Sequence, residues 1–355
     1  MKKINYFIIL WLISSCVFVY AQTKKNPAIF LKTEEQQISL NSIKNLDNGL
    51  FYEMDYIADY KLDLALDSNI QNVFQLAQFL QKELLTENQP IKFHDSFGCS
   101  SFSVKTIDNH VLYGRNFDYN MKMTAILIRI TPKNGYKSIG LADVGWIGYD
   151  IGNLDDGKTD LSMLVGTPYM IMDGMNEKGF AISVLQIKHT PTQQNTGKKA
   201  IMTSTMLRLL IDRAATVDEA IALLKNYDMY SAMPDSDFHY LLSDASGKTV
   251  VVEYCNNKMF VLDNTFVTNF YLHPSMNKIG GGYQRYEILQ SILNFNKNRL
   301  NHQQAMNLLD FVSQDTTKEV TSKTQWSAVY DLTAKSLSVA IRGNYEKIFH
   351  FSLEK

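Results

Sequence analysis

The chain has 355 residues, room for one large domain or two ordinary ones, and its 45% hydrophobic and 12% aromatic content is that of a globular protein. Its 35 basic and 36 acidic residues are interspersed and leave a formal net charge of −1, which removes any electrostatic reason to expect nucleic acid or an anionic surface as partner.

At the start, Lys2 and Lys3 precede an apolar run from Tyr6 to Tyr20, and Val19-Tyr20-Ala21 ends small before Gln22. A basic start, a short apolar stretch and a small-residue exit read as a secretory signal over residues 1–21. The run is too short, and too soon followed by Lys24 and Lys25, to anchor a mature helix. Export, periplasmic or extracellular, is therefore expected, with no stable membrane span. A lipid anchor at Cys16 is the minor alternative, since it would leave the mature chain starting on apolar Val17. With Cys16 in the leader, Cys99 and Cys255 remain. They permit a single disulfide and nothing marks them as a pair, so at least one is expected to serve chemistry.

Residues 22–48 are polar and without clear period. Leu50 to Leu66 reads as a helix, and Ile70, Val73, Phe74, Ala77, Leu80 and Leu84 form one face of a second, capped by Asp67 or Ser68 and stopped by Asn88 and Pro90. From Cys99 the pattern becomes strands: 99–106 and 111–119 about the turn Asp108-Asn109, then 125–131, 169–173 and 180–187. Helices are expected over 202–215 and after Thr216, which with Glu219 spells a capping box. Strands return at 238–244 and 249–254, helices at 286–295 and 302–311, and strands at 327–331, 337–342 and 348–352. Clustered strands separated by paired helices predict an α+β fold of packed sheets with helices outside.

Gly152 to Thr159 fits the phosphate-loop formula, but Asp155 and Asp156 would sit against the phosphates and Gly166 and Pro168 interrupt any following helix. A polar surface turn is the better reading. The seven histidines are scattered without ligand spacing, so neither a metal nor a cofactor is expected, and a lone His239 reads as a packed strand residue.

Three segments carry the chemistry. Gly98-Cys99-Ser100-Ser101-Phe102 is followed by Tyr113-Gly114-Arg115-Asn116-Phe117-Asp118-Tyr119, and a hairpin would return Arg115 and Asp118 beside Cys99. Asp173-Gly174-Met175-Asn176-Glu177-Lys178-Gly179 is a turn between strands, and Val267-Thr268-Asn269-Phe270 puts an asparagine at a strand's end. In this order the segments resemble the choloylglycine hydrolase and acid ceramidase families of N-terminal-nucleophile hydrolases, from Cys99 nearly to Lys355.

The resemblance implies a four-layer αββα sandwich over 99–355 and a helical pro-segment over 22–98. It implies that cutting Gly98–Cys99 exposes the nucleophile. Such a design has a physical logic: an unperturbed thiol has a pKa of about 8.5, and a freed α-amine, at about 7.7–8.0, supplies the base on the same residue. By motif position, Cys99 attacks the amide carbonyl, Asp118 holds the new amine, and Arg115 biases the thiol toward thiolate. Asn269 by its side chain and Asn176 by its backbone N–H form the oxyanion hole, and Arg285 is a further arginine near the cysteine. The bland readings are a packed cysteine, a strand ion pair, a turn former and a surface arginine; Cys255 is read as structural. The expected substrate is a small acyl amide of fatty N-acyl amino acid, N-acylethanolamine or ceramide type, with conjugated bile salt or penicillin V as alternatives. Trp146, Tyr149 and Tyr169 are candidates for its acyl pocket. The pro-segment is expected to stay bound as a subunit, and a homo-oligomer is left open. A non-catalytic secreted binding protein on the same fold is the reading of another class.

Overall fold

The computed structural model describes residues 25–87, 97–120, 123–314 and 323–354; the expected leader and the helix stop at Asn88 and Pro90 lie outside them. Upstream of Cys99 the chain forms α1 (Glu34–Asn41), β1 (Lys44–Asp47), β2 (Phe51–Tyr56), α2 (Leu62–Asp67) and α3 (Val73–Leu84). α1 arises where no apolar period exists. Its start is set by a capping box in which Thr33 accepts from the Gln36 N–H and Gln36 reaches back to the Thr33 N–H.

The helix expected over 50–66 is instead β2 followed by the short α2. Tyr52, Met54 and Tyr56 are buried and alternate with half-buried Glu53 and Asp55, a period of two. The segment before Cys99 is thus mixed rather than wholly helical. α3 forms where expected, but its buried face is Leu76, Phe79, Leu80 and Leu84: of the expected stripe Leu80 and Leu84 are buried while Phe74 is exposed, and the cap is Asn72, which accepts from the Gln75 N–H at 3.0 Å. Asp67 and Ser68 belong to the end of α2.

Downstream come β3 (Phe97–Lys105), β4 (Val111–Tyr119), β5 (Ala125–Ile130), β6 (Ser138–Asp143), β7 (Ile171–Asn176) and β8 (Ala181–Ile187). β9 (Lys199–Met202) and β10 (Tyr227–Tyr230) flank α4 (Thr203–Arg213) and α5 (Val217–Leu224). Next are β11 (Asp237–Ser243), β12 (Thr249–Cys255), β13 (Lys258–Leu262), β14 (Phe266–Val267), β15 (Asn269–Phe270) and β16 (Gly280–Gly281). The chain continues through α6 (Tyr283–Phe295), α7 (His302–Phe311), β17 (Lys323–Asp331), β18 (Ser336–Ile341) and β19 (Ile348–Ser352).

Two large sheets result. One runs β1-β2-β5-β6-β7-β8-β11-β12-β13 and is mixed, β2 lying parallel to β5; the other runs β14-β3-β4-β17-β18-β19 and is antiparallel. They meet face to face through buried side chains. Tyr113 donates to the Leu241 carbonyl at 2.8 Å, Ser101 meets Ser183 at 2.9 Å, and Trp326 donates to Asp173 at 3.0 Å. Helix α4 packs on β7 and β8, and α7 on β4 and β17. The fold is α+β, two facing sheets flanked by helices, consistent with the expected sandwich.

Gly152–Thr159 is a surface turn. Asp156 accepts from the Lys158 and Thr159 N–H groups, and Asp155 accepts from Asn45 and Tyr52. The loop's acids thus tie down the upstream segment. No helix among the described residues is long and apolar enough to cross a membrane.

Candidate active site

The β3–β4 hairpin sets the register from which the site grows: Cys99 opposes Phe117, Gly98 opposes Asp118 and Ser101 opposes Arg115. Alternation divides these residues between two faces. Arg115 and Ser101 point toward the nine-stranded sheet, where Arg115 donates to the Val184 carbonyl at 2.7 Å. Asn116, on the other face, donates to the Leu309 carbonyl of α7 at 2.7 Å. The glycine before Arg115 is sterically required: a Cβ at Gly114 would come within 2.4 Å of the Phe102 ring on the paired strand.

Cys99 is fully buried, and its N–H donates to Oδ1 of Asn269 at 2.8 Å. Arg285 joins the expected residues into one cluster. Its Nη1 donates to the Cys99 carbonyl at 2.8 Å and to Asp118 Oδ2 at 2.9 Å, and its Nη2 donates to Asn269 Oδ1 at 2.8 Å. Arg285 reaches them from the first turn of α6, whose N-cap is Gly282 at φ +84. A side chain there would be strained and would press on Arg285 and Thr268. Asp118 is enclosed and accepts additionally from Gln314 at 2.9 Å and Thr324 at 2.6 Å. Asn269 thus holds the nitrogen of Cys99, and Asp118 is bound to Arg285.

Arg115 and the thiol converge on one acceptor, for Cys99 Sγ lies 3.7 Å from the Val184 carbonyl. The Nε of Arg115 is 3.6 Å from Asp173, whose carboxylate also takes Trp326 and the Tyr330 hydroxyl. Burial pushes the Asp173 carboxyl up despite these partners. Arg115 Nη1 finds no hydrogen-bond acceptor among the described residues. Burial pushes the Cys99 thiol up to about 11, with Arg115 pulling it down and Asp118 pushing it up. The thiol is therefore protonated at neutral pH.

Asn176 is the exception. Its backbone N–H donates to the Phe180 carbonyl, its Oδ1 accepts from the Lys178 and Phe180 N–H groups, and its Nδ2 donates to Ile211 and Ala214 at the end of α4. Its backbone N–H and Oδ1 are thus committed to the β7–β8 turn and its Nδ2 to the end of α4, which leaves no polar group of Asn176 turned toward Cys99. What reaches Cys99 from this hairpin is the carbonyl of Val184, and Asn269 Nδ2 donates to the Gln186 carbonyl at 2.8 Å. Backbone contacts of this kind leave no mark in a sequence. Asp173, in the same motif as Asn176, was legible by alternation as the inward-facing residue.

Beside Val184 an apolar cavity opens, lined by Leu76 and Leu80 of α3, Trp146, Leu207 and Phe238 among others. Of the three aromatics expected there only Trp146 lines it. Tyr149 donates to the Asp160 carbonyl, and Tyr169 donates to the Tyr60 carbonyl and packs on Phe79. Cys255 and Cys99 are both buried free thiols. No group of three or more His, Cys, Asp or Glu side chains among the described residues is arranged to hold a metal.

The sequence profile of the linear amide C–N hydrolases, choloylglycine hydrolase family, matches residues 99–294. A bile salt hydrolase/transferase of Clostridium perfringens is 27% identical over 179 residues, 47% of this chain and 51% of that protein. A penicillin V acylase of Pectobacterium atrosepticum is 30% identical over 99 residues, 25% of this chain and 26% of that protein. The matched stretch thus spans about half of the first relative and a quarter of the second. Among solved structures, the conjugated bile acid hydrolase of Clostridium perfringens aligns with a TM-score of 0.53 at 18% identity, over 72% of this chain and 92% of that one. Penicillin V acylase of Agrobacterium tumefaciens aligns at 0.51 and 18%, over 72% and 87%. These structural likenesses speak for the fold.

Proposed function

The chain belongs to the choloylglycine hydrolase family of linear amide C–N hydrolases, and we propose that it is a cysteine-type hydrolase acting on amide bonds whose nucleophile is Cys99, freed by self-cutting at Gly98–Cys99. The observation that carries the reading is the convergence of Arg115, Asp118, Asn269 and Arg285 on one buried cysteine, from segments far apart in the chain.

In the cut, Sγ adds to the Gly98 carbonyl, the C–N bond breaks with a proton passing to the Cys99 nitrogen, and water hydrolyses the thioester to leave Gly98 as a carboxylate. The α-amine so released has an ordinary pKa of about 7.7–8.0 and takes the thiol proton that the buried group would otherwise keep. Asn269, which already accepts from this nitrogen, and Asp118, across the strand from Gly98, are the groups to hold it. Turnover repeats the chemistry on substrate: Sγ attacks the acyl carbonyl, the amine leaves with the proton, and water releases the acid. The Asn269 amide and the unpaired Arg115 Nη1 are the proposed oxyanion donors; losing one such donor costs about 2.7–4 kcal/mol of barrier.

For the substrate, conjugated bile salts and penicillin V come first, because the relatives matched are named for them. A fatty N-acyl amide is the second reading, favoured by the apolar cavity walled by α3 from upstream of Cys99. The test is intact mass of the wild type and Cys99→Ala, followed by hydrolysis of all three substrate classes. A fragment beginning at Cys99, present only in the wild type and accompanied by amide hydrolysis, supports the proposal. An uncut wild type with no turnover returns the protein to the binding reading.

A further inference from the structure

Strands β11 and β12 carry buried charged side chains that the chemistry above does not use. His239 and Glu253 are direct cross-strand partners, and both are fully enclosed. His239 Nδ1 lies 2.9 Å from Glu253 Oε1, and its Nε2 lies 2.6 Å from the Thr268 carbonyl oxygen. A carbonyl has no proton to give, so Nε2 carries one and donates it, which fixes the ring. Glu253 does more than face the histidine. Its Oε1 accepts the Leu272 N–H at 2.8 Å and its Oε2 accepts the His273 N–H at 3.0 Å. Two strand positions from His239, Asp237 accepts from the Tyr271 hydroxyl at 2.5 Å. The segment from Thr268 to His273 is therefore tied to the sheet on both sides of Asn269.

We propose that His239 and Glu253 are positioning residues for catalysis: they fix the backbone flanking Asn269, and so hold its side chain at the nitrogen of Cys99. The inference rests on Cys99 being the nucleophile. Stability alone does not account for the pair, because replacing both partners of a buried hydrogen bond by apolar groups of the same shape can be nearly neutral or stabilising. What such a pair adds is direction. Its bonds run from ring to carbonyl and from carboxylate to two N–H groups, so the segment can sit at one height only. Asn269 needs that constraint: its Oδ1 serves Cys99 and Arg285 at 2.8 Å each, while its Nδ2 serves Gln186. A shift of about 1 Å in a reacting group costs on the order of a hundredfold in rate. His273 turns its own ring away to Ser275, and the Cys255 thiol meets Glu253 Oε2 at 4.0 Å; neither reaches Asn269.

The experiment uses the full chain with Glu253→Gln, Glu253→Asp and His239→Gln. Self-cutting is followed by intact mass, kcat and KM are measured on the cut enzyme normalised to titrated Cys99 thiol, and thermal unfolding is recorded in parallel. In Glu253→Gln an amide N–H faces one of the backbone N–H groups. Slower cutting is expected, with kcat down by about 10–100-fold and KM nearly unchanged, since no substrate-facing surface is touched. Glu253→Asp keeps the charge and should recover part of kcat. His239→Gln retains an N–H able to reach Thr268, so it should fold and fall between. Wild-type kcat per thiol in variants that lose only thermal stability would make the pair a plain structural brace and end this inference, leaving Cys99 as nucleophile. A wild type that neither cuts nor hydrolyses acyl amides would overturn both.

Discussion

Arg285 shows how much one side chain can carry, because it alone touches Cys99, Asp118 and Asn269. Its guanidinium is the cation hydrogen-bonded to an enclosed carboxylate. Breaking such a buried pair costs about 3–5 kcal/mol, and some residual exposure of Arg285 places the expected loss for Arg285→Met toward the lower figure. Urea unfolding measures it, and unaltered midpoints would deny the bridge its weight. Arg285→Lys should recover less than half, since a single ammonium cannot span three acceptors in a fixed plane. A second residue gives a pH signature. Asp143 is enclosed and accepts from the Gly145 N–H at 2.8 Å. Burial pushes its carboxyl up to about 8, against the hydrogen bonds of Gly145 and Trp146. The folded pKa lies above the unfolded value of about 3.9, so the protonated carboxyl favours the fold fully below that value, and the advantage is lost as pH rises through about 8. Asp143→Asn, which stays neutral, should gain on the wild type steadily from pH 5 to pH 8 in urea midpoints; parallel curves would reject this. Legibility at this scale followed chemistry. Cys99, Arg115, Asp118, Asn269 and Arg285 were readable as one cluster because the contacts that join them are made by side chains. Asn176 stands apart because its polar groups are bound within the turn and to the end of α4, while the hairpin's contact with the thiol is a backbone carbonyl.

Among the elements, α3 and β2 were read with opposite success for one reason. The apolar residues of α3 recur every three to four positions and fix it as a helix, though its buried face is turned to take in Leu76 and Phe79 and leave out Phe74, and its cap is Asn72. In 50–66 an apolar-rich run hides a period of two, and the parallel pairing of Phe51–Tyr56 with Ala125–Ile130 that decides the matter lies some seventy positions away in the sequence. α1 has no apolar stripe to read and was not expected from the sequence; what sets its start is the Thr33–Gln36 capping box. Helix α3 also offers a test. Leu80 is buried, lines the cavity beside Val184, and sits so near Gly166 that a Cβ there would come within 2.9 Å of it. Leu80→Ala should cost about 2–5 kcal/mol in chemical denaturation. If the cavity takes the acyl group, the same change should shift preference toward bulkier or longer acyl chains, read as a ratio of kcat/KM across a chain-length series. A flat ratio would place the acyl group elsewhere.

At the scale of the molecule, the two sheets do not respect the Gly98–Cys99 bond. The segment before it supplies β1 and β2 at one edge of the nine-stranded sheet, with β2 paired to β5 along six residues. Tyr60 donates to Asp212, itself paired with Arg208 of α4, and Tyr56 donates to the Val165 carbonyl. Gln36 caps the last turn of α3 through the Leu84 carbonyl, binding the segment to itself as well. Cutting one peptide bond removes none of these contacts. The two pieces should therefore co-elute after self-cutting and part only in denaturant, together with the cooperative loss of the whole fold. Expressing residues 99–355 alone should fail differently. The β5 edge would be left with unpaired N–H and carbonyl groups, and the apolar surface under α3 would face water, a combination that invites aggregation. Supplying residues 22–98 as a separate chain during expression should restore soluble protein, because the sheet needs the strands and not the bond. A soluble, monomeric 99–355 with native thermal stability would show instead that the upstream segment is an accessory to a core complete without it.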